Sequence, residues 1–160
     1  MTQGLEGRTF PPPGVPVQLR QKGCHYDPHV LALVAGQELE VVNDDIGTIL
    51  HNVHPVPKEN SLIPENVGQP HGATNSWKLP NAEAPFFIRC DIHPWMGAWC
   101  VVVAHPFFAV TGEDGSFALK GLPPGEYVVE AWHEKYGTRT QTVKVGAGEK
   151  KVADFSFEGK

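Results

Sequence analysis

No apolar run in the 160-residue chain approaches the roughly 18 residues needed to cross a bilayer as a helix. Positive charge is also scarce. Thirteen Lys and Arg stand against 18 Asp and Glu, the net charge is -5, and no basic run provides the footprint of a phosphate-binding surface. Nucleic acid is therefore not an expected partner. Cysteine is limited to three residues, too few for a disulfide-rich scaffold. The odd count leaves at least one cysteine free, metal-bound or paired to another chain. Cys24 and Cys100 are either a disulfide or two reduced core thiols, and spacing alone does not decide between them. Methionine is scarcer still, and Met96 is the only one besides Met1. Residues 1–17 have neither the charged start nor the apolar stretch of a signal peptide, so the chain is expected to be cytoplasmic or the mature or trimmed form of an exported protein.

Proline and glycine, by contrast, are abundant, with 15 and 17 copies spread at short intervals. Such punctuation leaves little room for helices and predicts an all-β chain of short strands joined by turns. Pro11 to Pro16 read as extended. Strands are expected at Val30–Val34, Glu38–Val42 and Phe86–Arg89, and Gly36 supplies the turn between the first two. The continuously apolar run Trp99–Ala104 predicts a strand buried on both faces.

A second pattern starts near Pro106. Strands are expected at Phe117–Leu119, Tyr127–Trp132, Thr138–Val145 and Val152–Phe157, with turns at Gly112–Gly115, Gly121–Gly125 and Gly146–Gly148. The stretch from Thr111 to Ala131, TGEDGSFALKGLPPGEYVVEA, resembles the carboxypeptidase regulatory-like domain, a transthyretin-like β-sandwich that implies packing and binding rather than catalysis. That module opens with strands whose place is taken here by the preceding domain. Either the strand Trp99–Ala104 is shared, or, as we favour, the missing strands lie upstream in a longer chain. The expected organisation is an extended segment over residues 1–19, a first domain over 20–105 and the smaller module over 106–160.

Chemistry concentrates in Cys90-Asp91-Ile92-His93-Pro94-Trp95-Met96, placed between two predicted strands. A thiolate, an imidazole and a thioether in one short loop suit an ion that alternates between Cu(I) and Cu(II), because soft sulfur favours the former and imidazole tolerates both. A second imidazole is expected from a separate upstream loop, and Thr48-Ile49-Leu50-His51-Asn52-Val53-His54 offers it. A lone Cys-x-x-His pair would as readily be half of a zinc site or two core residues.

The order of a strand, an Asn-containing loop, His51-Asn52 and then a distant Cys-x-x-His-x-x-Met loop resembles the cupredoxins, with a short ligand loop similar to that of amicyanin and plastocyanin. The resemblance covers about residues 20 to 105. It implies a Greek-key β-sandwich with one type 1 copper ion held equatorially by His51, Cys90 and His93 and axially by Met96. It also implies a main-chain hydrogen bond from Asn52 to the Cys90 sulfur. Ile92, where several cupredoxins have proline, keeps an N–H that is expected to donate a second bond to that sulfur.

The expected activity is single-electron transfer rather than enzymatic turnover, with a redox protein docking near His93 and Trp95. The expected location is periplasmic or otherwise extracytoplasmic. Two alternatives stay open: a carrier or sensor that delivers copper, and a copper enzyme whose additional site would draw on His54, His105 or His133. His25, His29 and His71 carry no site signal.

Overall fold

The computed structural model describes residues 1–61 and 66–159, and among them there is no helix. Eleven strands account for the regular structure: β1 Val17–Lys22, β2 His25–Asp27, β3 Val30–Val34, β4 Glu38–Asn43, β5 His51–Pro55, β6 Val67–Gln69, β7 Thr74–Lys78, β8 Glu83–Arg89, β9 Gly97–Val103, β10 Gly125–His133 and β11 Gly137–Val145. The all-β class expected from the proline and glycine spacing is the one observed. Two compact units divide the chain, Phe10–Pro106 and the combination of Met1–Thr9 with Phe107–Lys160.

The larger unit is a sandwich of two mixed sheets, ordered β2-β1-β4-β7 and β3-β9-β8-β5-β6. Strands β1 and β4 run parallel, as do β3 and β9, and the remaining pairs are antiparallel. Alternation along each strand sends every second side chain inward. Leu19, Leu39 and Val41 from one sheet thus meet Leu31, Leu33, Val53, Ile88, Cys100 and Val102 from the other in a single buried cluster. Each of these large side chains contributes about 1.5–3 kcal/mol by leaving water.

Strand β9 corrects one expectation. Its burial alternates, with Ala98, Cys100 and Val102 fully inside and Trp99, Val101 and Val103 only half-buried. On that second face the Phe87 ring lies against Trp99, tilted at 57° with ring centroids 5.0 Å apart.

The smaller unit is built on one hairpin, β10 paired with β11 in register from Gly125↔Val145 to His133↔Gly137. The N-terminal segment adds to it: Thr2 N donates to Val128 O at 2.9 Å and Val128 N to Gln3 O at 3.3 Å. The strands expected at 117–119 and 152–157 do not form ladders. Strand propensity becomes a strand only when an edge is there to pair with. These segments meet through the rings of Phe117 and Phe155, 6.3 Å apart, and Val152 is 84% exposed.

Candidate metal centre

Local structure brings His51, Cys90 and His93 together, and Met96 shares the buried cluster with Cys90. Cys90 follows directly on β8, and the loop after it is closed by two backbone bonds, Met96 N to His93 O at 2.9 Å and Cys90 N to Met96 O at 3.1 Å. The turn therefore folds back before β9 begins. It leaves Cys90 and Met96 buried and His93 half-buried.

His51 comes from the other direction. It was expected on a loop, but it is the first residue of β5, fully buried, on a strand whose later residues His54 and Pro55 pair with Arg89 and Ile88. Its Nδ1 lies 3.0 Å from His93 Nδ1, and His93 Nδ1 in turn lies 3.7 Å from Cys90 Sγ. The two imidazole rings stand 4.8 Å apart between centroids.

The orientation of His51 is fixed by a residue that the sequence reading missed. Asp45 Oδ2 is 2.7 Å from His51 Nε2. Burial alone would raise the Asp45 pKa, but the Cys24 amide, the His51 ring and the Gly23 amide outweigh it and hold the carboxyl below its ordinary range. An ionised carboxylate takes the His51 proton onto Nε2 and leaves the Nδ1 lone pair facing His93, the arrangement by which an outer carboxylate orients a metal-binding imidazole.

Asp45 is positioned by buried Asn43 at the end of β4. The Asn43 carboxamide accepts from Asp45 N at 3.0 Å and donates to Gln69 O and Ile49 O at 2.8 and 3.2 Å. The only hint in the sequence was a pair of acidic residues following an asparagine.

Asn52 is a second organising residue. Its side-chain oxygen accepts from Asp91 N at 2.7 Å, Ile92 N at 3.2 Å and the Cys90 thiol at 3.3 Å. The Ile92 N–H expected to reach the sulfur is thus directed to Asn52. The Asn52 contact with Cys90 found among the described residues runs through the side chain. Tyr26 braces the same corner, its hydroxyl donating to Asn52 O at 2.9 Å. Burial, and then the nearby Cys90 and Asp91, push the Tyr26 phenol up.

The remaining histidines lie elsewhere. His54 Nδ1 is 2.7 Å from Asp91 Oδ2, and Arg89 Nε is 3.0 Å from Asp91 Oδ1, a rim network. The His54 hydrogen bond, ahead of the Arg89 charge, lowers the Asp91 pKa despite some desolvation. His133 stacks near Tyr136 and Phe157 in the smaller unit, at 4.6 and 5.7 Å. His105 is buried. Among the described residues, the Cys, His, Asp and Glu side chains form one group of three able to share an ion, and none of these histidines is in it. That group is Cys24, His51 and His93, with donor atoms within 4.8 Å of one another.

All three cysteines are free thiols, so Cys24 and Cys100 are unlinked. Around the loop, Ile46, Leu50, Ile92 and Trp95 expose apolar surface, and Trp95 is 65% accessible. A thiol, two imidazoles and a thioether form a donor set that fits copper in both of its common oxidation states.

Comparison with known proteins bears on the two halves separately. Residues 101–158 match the carboxypeptidase regulatory-like domain. The match begins inside β9, which is paired with β3 and β8. No curated protein matches the chain. Similar solved structures include a purple cupredoxin from Nitrosopumilus maritimus, at 18% identity over 53% of this chain and 97% of that one, with a TM-score of 0.44. The amicyanin of Paracoccus versutus gives 18% identity over 56% of this chain and 83% of its own, TM-score 0.45. A copper-containing nitrite reductase from Thermus scotoductus gives 23% identity over 55% of this chain, TM-score 0.46, and the chain spans only 22% of that enzyme.

Proposed function

We propose that the chain holds one type 1 copper ion through His51, Cys90, His93 and Met96 and passes single electrons between redox partners. The observation that supports this most directly is the convergence of His51 Nδ1, His93 Nδ1 and Cys90 Sγ from two separate chain segments, at 3.0 and 3.7 Å. Copper would supply the one-electron couple. The chain's own contribution is to hold the donors still: Asp45 orients His51, Asn52 ties β5 to the ligand loop, and the backbone bonds of Met96 close that loop. Donors fixed in advance need little rearrangement when charge arrives or leaves.

With His51, Cys90, His93 and Met96 as donors, a bound copper ion would have little room for substrate and would exchange electrons instead. Exposed Trp95, 5.3 Å from the His93 ring, and exposed Ile92 offer an apolar surface for brief contact with a redox protein. Following the cupredoxin resemblance, we place the protein in the periplasm or another extracytoplasmic space.

The test is copper content with visible absorption of the purified protein. One copper per chain and an intense thiolate-to-Cu(II) band are expected, and Cys90→Ala should remove that band. A Cys90→Ala, Cys24→Ser protein that kept the wild-type band would overturn the ligand assignment.

A further inference from the structure

His93 stands between two sulfurs. Its Nδ1 is 3.7 Å from Cys90 Sγ, and its Nε2 is 3.9 Å from Cys24 Sγ. Cys90 is buried, whereas Cys24 is partly accessible. The Cys24 sulfur also closes a group with His51 and His93 whose donor atoms lie within 4.8 Å of one another. Donors bound to one ion at about 2.0–2.3 Å stand about 3.3–3.8 Å apart, so a contraction of about 1 Å would seat a metal there.

The Cys24 turn is anchored to the same residues that build the inner centre. Asp45 accepts the amide of Gly23 and, at 3.0 Å, that of Cys24, while its Oδ2 also faces His51 Nε2. Trp95 Nε1 donates to Cys24 O at 3.1 Å. The sulfur is thus held at the outer edge of the two imidazoles, with no second cysteine bonded to it.

We propose that Cys24, His51 and His93 form a second, outer copper position, in which Cu(I) is received before it moves inward to Cys90. A soft thiolate with two imidazoles suits three-coordinate Cu(I). The transfer exchanges one thiolate for another and one nitrogen of His93 for the other, while His51 Nδ1 stays the common ligand: the bonds to Cys24 Sγ and His93 Nε2 break, those to Cys90 Sγ and His93 Nδ1 form, and the His93 ring proton passes from Nδ1 to Nε2 through solvent. The proton released by the Cys90 thiol is balanced by one taken up from solvent at Cys24, and the ion stays Cu(I) throughout. This rests on the reading that His51 and His93 bind copper.

The experiment presents Cu(I), as its complex with a chromophoric chelator, to the wild type and to Cys90→Ala, Cys24→Ser and the double variant, each first checked for cooperative unfolding. Cys90→Ala should retain one Cu(I) with an affinity about ten-fold or more above that of the double variant, and bound Cu(I) should shield Cys24 from iodoacetamide. Cys24→Ser should load Cu(I) more slowly but, once loaded and then oxidised with ferricyanide, reach the same final visible band as the wild type. Wild-type protein alkylated at Cys24 should show the same delay, which keeps the test independent of how the serine variant folds. Equal affinity in Cys90→Ala and the double variant, with no shielding and no delay, would overturn the outer position. A wild-type protein that takes up copper and shows no intense band after oxidation with ferricyanide would instead defeat the type 1 assignment, whatever Cys24 does.

Discussion

The side-chain oxygen of Asn52 accepts the amide proton of Asp91 at 2.7 Å, and so joins the strand carrying His51 to the loop carrying Cys90 and His93. The same oxygen serves Ile92 N at 3.2 Å, and the Asn52 amide donates to Asn66 Oδ1 at 2.7 Å. One carboxamide therefore sets the distance between the two halves of the proposed centre. Asn52→Ala should leave two loop amides without this acceptor, at about 1–3 kcal/mol each where they stay dry. A lowered unfolding midpoint together with a broadened or weakened visible band is expected. Loss of stability with an unaltered band would show that Asn52 supports the fold but not the centre.

Asp45 touches one ligand of the inner centre, His51, and otherwise holds the amides of Gly23 and Cys24. Asp45→Asn removes the negative charge that draws the His51 proton to Nε2, so the neutral ring can place a proton on Nδ1 and withdraw its lone pair. Copper affinity should fall about 10–100-fold, the range seen for outer partners of metal-binding imidazoles. Chelator competition reads this directly, and an unchanged affinity would mean that the ring is oriented by packing alone.

Much of this was legible in the sequence, and the parts that were not share a cause. Glycine and proline spacing announced strands, and the Cys90 to Met96 loop pointed to a metal because a thiol, an imidazole and a thioether fell within it, with His51 upstream. Asp45 and Cys24 were invisible because their roles depend on which turns lie beside His51 and His93. That is set by the parallel pairing of β1 with β4, segments separated in sequence. Ile92 was misjudged for a related reason: an available N–H was evident, but not that the carboxamide of Asn52 would take it first. Residues 117–119 and 152–157 have strand composition yet no ladder, since composition does not tell whether a partner edge exists.

Met96 is buried in the same cluster as Cys90 and Ala98 and is fixed by its own backbone bonds to His93 and Cys90. Met96→Leu conserves volume, so the loop should keep its shape. Removing a weak axial donor destabilises Cu(II) more than Cu(I), so the variant should retain copper and show a higher reduction potential by voltammetry. Complete loss of copper would assign Met96 a principal rather than an axial role.

Gly97 opens β9 immediately after Met96, opposite Arg89 in the β8 ladder. A Cβ at this position would collide with the ring of Phe87, which itself packs against Trp99 at 5.0 Å between ring centroids. Gly97 is therefore required by space rather than by backbone conformation. Gly97→Ala must displace Phe87 or push the strand end outward, and overpacking of this kind costs about 1–3 kcal/mol. Because the collision is with a ring edge, Phe87→Leu in the same chain should return much of that loss, whereas Phe87→Leu alone should destabilise by removing the packing against Trp99. Urea unfolding of the two single variants and the double gives the coupling between the sites. A double variant as unstable as the sum of the singles would show that the alanine methyl is accommodated by movement of the strand, and the visible band should then shift as Met96 and the loop before it are dragged along.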